Sequence, residues 1–444
     1  MYANLNGTAQ LMLAGILITL CIWIFKPFRL PYAAGGFFLA LFGLAAGLPP
    51  AIVFSGFTQP AVWTLIPALF FGYTLQKTGL GKRIALTVIR LCRPSYISLV
   101  LAWVLIGVIL SILTPSITVR VAIVIPIAVQ FCELCKIQKG AKGSALILLT
   151  AFGMAIIPGS GWMSGLLAGP IMQGMYNATP GLQGIITFNS WFSVMFIPMM
   201  TVTALTAAGS LIFLKPDEPI SREVFSAIKE QPTDKITLHE IITVLMLLIV
   251  FLMFLTSSHH KIPDAAVCLA AVFLFFVFGI LEARDFNTGV NWDLVVFMGM
   301  ALSLGAVFSE TGISQWLSAI VVPALAPIAV SPWIFIPGIM ALMFAWRFVD
   351  VAIFIPTMAI MIPILPDIQQ AYGINPLIWA PVFVMAHNCF FMAYQNIWAM
   401  MSRTMAGDRA WDSRQLGIYG VIYFIACLLA LIPFIPVWIN AGFF

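Results

Sequence analysis

The 444-residue chain is 62% hydrophobic and only 8% charged, with a formal net charge of +5. So little charge over this length excludes a soluble globular domain and identifies a polytopic membrane protein. The modest positive balance is what membrane topology requires, so nucleic acid is not expected as a partner; the lipid bilayer is.

No Lys or Arg precedes Gln10, so a cleaved signal peptide is not expected, and the run Leu11–Phe25 reads as a retained first span. Apolar runs able to span a bilayer as helices follow at 8–25, 31–48, 60–76, 143–175, 188–214, 239–257, 264–281, 293–309, 377–402 and 415–438. Two further runs, 96–134 and 331–365, break in the middle, the first at Leu113–Ser116 and the second around Ala345–Phe348. Each is two spans or one re-entrant hairpin. A polar, broken midpoint favours the hairpin, because irregular backbone at membrane depth survives only where it lines a cavity or is buried in protein.

Loop charges set the sides, since Lys and Arg accumulate in cytoplasmic loops. Lys77, Lys82, Arg83, Arg90 and Arg93 precede the first broken run, and Lys136, Lys139 and Lys142 follow it. That run therefore enters and leaves on the cytoplasmic side. The flanks of the second carry only Asp367, so it enters from outside. Lys26 and Arg29, the hydrophilic stretch Lys215–Glu240, and Arg403, Arg409 and Arg414 also fall inside, with both termini outside.

The chain then divides into a first half, 1–214, a cytoplasmic linker, 215–240, and a second half, 241–444. Each half reads as three spans, a short amphipathic piece, a hairpin and two spans. Short echoes support a duplication. Lys77-Thr78-Gly79-Leu80 returns as Glu310-Thr311-Gly312-Ile313, and Arg120-Val-Ala-Ile-Val-Ile-Pro126 returns as Asp350-Val-Ala-Ile-Phe-Ile-Pro356. Opposite starting sides make this an all-α inverted-topology repeat, each half five transmembrane helices plus one re-entrant hairpin. Secondary transporters are commonly built this way. The localisation expected is a multi-pass protein of the inner or plasma membrane.

Candidate site residues are the polar ones at membrane depth, where charge costs about 2.5–3.5 kcal/mol on insertion scales. Arg347 can pair bidentately with a carboxylate, or form a structural pair with Asp350 three residues on. Arg120, just past the first break, either serves coupling or partners Asp350 structurally. Asp350 is a candidate proton carrier, and His387 is grouped with these charges. Ser116 and Thr118 offer hydroxyls to a ligand or cap broken helix ends. Ser160, in Gly159-Ser160-Gly161, interrupts a span where a half-helix N-terminus could meet an anion. Gly161, Gly165 and Gly169 read as packing glycines. Asn388 and Asn396 line a path or bond between helices. Cys132 and Cys135 have CxxC spacing without a second pair, and no cofactor or metal site is read from the sequence. No H-E-x-x-H and no G-x-S-G occurs, so an intramembrane enzyme is not expected.

Several stretches resemble the divalent anion/sodium symporter family. They are Phe71-Gly72, Gln76-Lys77-Thr78-Gly79-Leu80 with Lys82-Arg83-Ile84-Ala85-Leu86, His259–Val267, and Asn291-Trp292-Asp293 through Gly299. The resemblance implies an elevator-type secondary transporter of small anionic di- or tricarboxylates, or of sulfate, working as a homodimer. It also implies an S-N-T triplet at each hairpin tip for sodium and substrate carboxylate. Here the first triplet falls on Ser116-Ile117-Thr118 and the second on Trp346-Arg347-Phe348, so the asparagine is lost from one and all three residues from the other. Proton coupling or substrate exchange is therefore expected in place of sodium symport, and Arg347 at the second tip could also stand in for the missing sodium charge. The alternatives are a non-transporting receptor or subunit of the same fold, and a sodium-coupled sulfate symporter using atypical sites.

Overall fold

A computed structural model describes residues 5–216, 219–220, 235–351 and 354–444. Most of the expected linker, and Ala352 and Ile353 of the second echo, lie outside the described residues. The described chain is helical throughout, and its longer helices are numbered here in order. The first half holds α1 (Gly7–Phe25), α2 (Tyr32–Ala45), α3 (Pro60–Lys77), α4 (Leu80–Arg90), α5 (Tyr96–Leu113), α6 (Ile117–Leu134), α7 (Lys142–Met154), α8 (Ala168–Ala178) and α9 (Phe188–Phe213). The second holds α10 (Leu238–Leu255), α11 (Asp264–Val277), α12 (Trp292–Thr311), α13 (Ile313–Leu325), α14 (Pro332–Trp346), α15 (Ile355–Met361), α16 (Leu365–Tyr372), α17 (Trp379–His387), α18 (Ile397–Ala406), α19 (Ser413–Leu431) and α20 (Ile435–Asn440). Among the described residues, eight helical stretches are long and apolar enough to cross a membrane.

Local chemistry explains the helix ends. Thr187 with Ser190, Thr237 with Glu240, and Asp412 with Gln415 form capping boxes that start α9, α10 and α19. Gly79 and Gly312 sit at φ 76° and 74°, each between a long third helix and a short one. Only glycine takes this left-handed turn at no steric cost, which is why Thr-Gly recurs at the two places. The element order after each turn also recurs: a short helix, a helical pair, a broken segment and a long terminal helix.

Two expectations are corrected. The runs 143–175 and 377–402 are not continuous helices. The first divides into α7 and α8 with 3-10 turns at Pro158–Gly161 and Met163–Gly165 between them. The second divides into α17 and α18, with Ala393–Gln395 as a 3-10 turn between. The first broken run parts at Thr114–Ser116, as expected. The second leaves its helix after Trp346, within the expected Ala345–Phe348, and the next helix among the described residues starts at Ile355.

The core is one continuous apolar cluster. Across the halves, α9 packs on α19, α3 on α11, α2 on α12 and α18 on α6. Gly72 of α3 lets the first tip come close, since a Cβ there would stand 2.9 Å from that of Ser116 and 3.1 Å from Thr114 Oγ1.

Ion pairs tie the halves at one face. Arg83 Nε donates to Glu240 at 2.6 Å. Lys77 Nζ reaches Asp285 at 2.5 Å and Glu282 at 3.3 Å, and Tyr73 Oη donates to Asp285 at 2.7 Å. Burial pushes the Asp285 carboxyl up, but hydrogen bonds from Lys77, Tyr73 and the Glu282 amide outweigh it and hold its pKa at about 2, below the ordinary 3.8. A depressed carboxyl stabilises the fold above its unfolded value. The contribution is therefore complete above about pH 4 and is lost as pH falls from 3.8 towards 2. Asp285→Asn is expected to lower the melting temperature at pH 7 and to leave it nearly unchanged near pH 2, read by thermal unfolding across that range.

Candidate functional site

A cavity of about 320 Å³ lies where the two helical pairs and the two broken segments meet. The first pair contributes Pro115, Ile117 and Thr118, and the second contributes Ile355. The broken segments contribute Leu167, Ala168 and Ile171 on one side, and His387, Ile397 and Trp398 on the other. Lys26, Tyr32, Asn291, Asp293 and Leu294 complete the wall.

Five helices of ordinary length begin at this wall. They are α2 at Tyr32, α6 at Ile117, α8 at Ala168, α12 at Trp292 and α18 at Ile397. A helix N-terminus carries a partial positive charge, so together they favour an anion, and at α2 the Asp293 carboxylate already takes that place by accepting from the Ala33 amide. Ser116 caps α6 by accepting from the Val119 amide at 3.4 Å. Asn396 caps α18 by accepting from the amides of Trp398 at 3.0 Å and Ala399 at 3.1 Å. No side chain caps α8; its Gly169 and Ile171 amides donate to the carbonyls of Leu166 and Leu167, and Pro170 has no N–H to offer.

The two halves touch across the cavity. The Trp398 indole N–H donates to Thr118 Oγ1 at 3.0 Å, and the His387 ring lies 5.7 Å from the Trp398 ring. Thr118 is exposed to the cavity, while His387 is buried. Lys26 follows α1 with its ammonium 3.4 Å from the Tyr32 ring centre. Burial lowers the Lys26 pKa against the opposing pull of Asp293. Asp293 is held in place by the Ala33 amide, which donates to its Oδ1 at 2.6 Å.

The other candidate residues stand behind this wall. Ser160 Oγ accepts from Asn388 Nδ2 at 2.9 Å, joining the two broken segments. Arg120 is fully buried, and its Nη2 donates to the Gly165 carbonyl at 2.7 Å. Arg347 is 1% exposed and donates to the main-chain carbonyls of Asp350 and Gln395. The Asp350 carboxylate accepts from the Thr357 hydroxyl, and from its amide at 3.2 Å. Trp346 Nε1 reaches the same hydroxyl at 2.9 Å. The arginines and Asp350 thus hold loops in shape and do not line the cavity. No group of three or more His, Cys, Asp or Glu able to hold a metal occurs among the described residues.

Sequence reasoning missed Lys26, Tyr32 and Trp398, and it gave no role to Asn291 or Asp293. Trp398 was within reach of it, two residues past the N-cap asparagine of α18.

A smaller space of about 30 Å³ lies on another side of Pro115, lined among others by Thr64, Ser164, Gln173, Asp264 and Cys268. That is room for about one or two waters. Pro115 therefore stands between two separate spaces.

Residues 2–441 match the description "Sodium:sulfate symporter transmembrane region". The chain is 24% identical to a chloroplastic dicarboxylate transporter 1 of Spinacia oleracea over 87% of its own length and 68% of that protein. It is 24% identical to a putative malate transporter of Bacillus subtilis over 71% of its length and 67% of that protein. It is 23% identical to a sodium-dependent dicarboxylate transporter of Staphylococcus aureus over 80% of its length and 72% of that protein. Among solved structures, the YdaH transporter of Alcanivorax borkumensis superposes with a TM-score of 0.60 at 15% identity, covering 88% of each chain. That likeness concerns the fold.

Proposed function

The chain belongs to the sodium:sulfate symporter transmembrane family, a family of multi-pass membrane transporters and not of enzymes, and from that premise we propose that it carries small dicarboxylates through the cavity between its two helical pairs. The observation that carries this reading is the convergence of five helix N-termini, those of α2, α6, α8, α12 and α18, on one cavity of about 320 Å³. Its size is at the low end for small-molecule sites, which suits a small anion. The Trp398 indole, the Thr118 hydroxyl and the His387 ring supply polar contacts, and Lys26 adds positive charge at a wall that also holds Asp293. The dicarboxylate and malate transporters among its relatives support the substrate class.

In this reading the halves are inverted repeats, with Lys26 and the Lys77–Asp285 cluster on the cytoplasmic side. Helices of 18 residues, such as α5 and α6, reach about 27 Å, so length alone would allow each to span. A re-entrant hairpin is favoured by what surrounds Thr114–Ser116: buried side chains, a cavity on two sides of Pro115, and the broken segment beside it. Movement of this tip past its neighbours would open one space and close the other, and the protein would work as a homodimer.

Coupling is to protons or to a counter-substrate, because the tip at Trp346–Phe348 offers no hydroxyl or amide side chain to a sodium ion. Proteoliposomes are expected to take up labelled malate or succinate equally well in sodium and in choline buffer. Steep sodium dependence would defeat this assignment, and absence of any carboxylate uptake would defeat the function.

A further inference from the structure

The two fully buried arginines do the same job in different halves. Arg120 lies in α6 just after the first tip, and its Nη2 donates to the carbonyl of Gly165, between α7 and α8. Arg347 lies at the start of the second gap, and its Nη2 donates to the carbonyl of Gln395, between α17 and α18. The separations along the chain are 45 and 48 residues. Each guanidinium therefore ties a tip to the broken segment of its own half. The sequence echo does not reveal this, since it sets Asp350, not Arg347, against Arg120.

The electrostatics are unusual. Among the described residues no carboxylate pairs with Arg120, and its Nε and Nη1 have no hydrogen-bond partner. Both hydrogen bonds of Arg347 run to main-chain carbonyls, and its Nε has none. A buried charge facing carbonyl oxygens is what a bound alkali cation looks like electrostatically. Unwound carbonyls of broken helices are also the groups that hold sodium in transporters of this general plan. Packing supports the assignment: a Cβ on Gly159 would meet the Arg120 guanidinium, and its neighbours would be the Gly165 carbonyl at 2.6 Å and Ser111 at 2.8 Å. The space is filled by the guanidinium itself.

We propose that Arg120 and Arg347 are tethered cations, each holding closed, as a permanent part of the chain, a carbonyl-lined junction that would otherwise need a dissociable monovalent cation. This rests on the reading above that the tips and broken segments frame the transport site. It adds that ion binding has been replaced at both junctions, so the tips are ordered before any ion or substrate arrives.

The test uses purified full-length protein in detergent, with thermal unfolding at matched ionic strength in sodium, choline or millimolar guanidinium chloride. The wild-type melting temperature is expected to be the same in sodium and choline. Arg120→Ala and Arg347→Ala are expected to melt several degrees lower in choline and to recover at least half of that loss with sodium or guanidinium, by mass action on the vacated junction. Arg120→Lys and Arg347→Lys keep the charge and should fold and stay indifferent to sodium. If an alanine variant cannot be purified, the lysine variants decide. Folded and indifferent upholds the proposal; failure to fold, or folding only with sodium, overturns it. Sodium stabilisation of the wild type, or alanine variants equally low in every salt, also overturns it. No carboxylate is present, so this result stands apart from the function: a protein that moves no dicarboxylate but shows this salt pattern would refute the substrate and leave the arginines as assigned.

Discussion

Asp350→Ala is expected to abolish dicarboxylate uptake and to destabilise the protein by about 3 kcal/mol. Asp350 is 1% exposed, and its carboxylate holds the Thr357 amide and hydroxyl. Thr357 in turn receives the Trp346 indole N–H. The carboxylate therefore closes the gap between α14 and α15 from within. Truncation leaves two buried donors without their acceptor and removes the negative charge beside the Arg347 guanidinium. Asp350→Asn keeps an acceptor oxygen for Thr357, so it should retain the fold and bind substrate. The same variant tests a proton role. A carrier of the coupling proton would, as asparagine, still exchange carboxylates but fail to accumulate them against a gradient. A carboxylate that only braces the tip would, as asparagine, keep both activities. The bonds to Thr357 favour the second outcome, measured as counterflow and pH-driven uptake on the same proteoliposomes.

Hydropathy made most of the fold legible. The run 8–25 became Gly7–Phe25, 188–214 became Phe188–Phe213 and 293–309 became Trp292–Thr311. The first break was legible because Thr114-Pro115-Ser116 combines a helix breaker with a cap. The second break was placed at its start, but its far end was not legible, because Ala345–Ile355 contains no proline or glycine and only Pro356 marks that end. Hydropathy also ran straight through the interruptions at Pro158–Gly165 and Asn388–Asn396, since an apolar side chain scores alike on a helix and on an unwound segment.

Of the cavity wall, Thr118 and His387 are singled out by the sequence; Ser116 and Asn396 cap helices that begin there, and Ser160 and Asn388 lie behind it. What Arg347 binds was not legible. Its acceptors are main-chain carbonyls of Asp350 and Gln395, and a carbonyl has no sequence identity. The alternatives weighed from sequence, a substrate carboxylate, the place of a sodium ion or the Asp350 side chain, all treated it as a charge, because only side-chain charges are visible there. Lys26 and Asp293 were overlooked for a different reason. Each lies at the end of a span, where charge is ordinary, and only the three-dimensional closure of α1, α2 and α12 brings them to the cavity wall.

Trp398→Ala should reduce transport by at least about a hundredfold, because the residue performs three tasks at one place. Its ring walls the cavity and lies tilted against His387, its position is the second of α18, and its indole N–H reaches Thr118 on the opposite half. The hydrogen bond can be separated from most of the ring. Trp398→Phe removes the N–H with part of the ring area, and Thr118→Val removes its acceptor with little change in shape. A neutral hydrogen bond of this kind contributes about 1 kcal/mol, so each substitution should raise the KM for malate by about five- to tenfold. Both partners serve one bond, so the double variant should be hardly worse than either single one. Full additivity would mean that the two groups act independently, each on the substrate, and the link between the halves would have no role in binding. The cycle therefore reads whether the anion meets two separate donors or one joint already formed across the cavity. The geometry, with the indole N–H already committed at 3.0 Å, favours the joint.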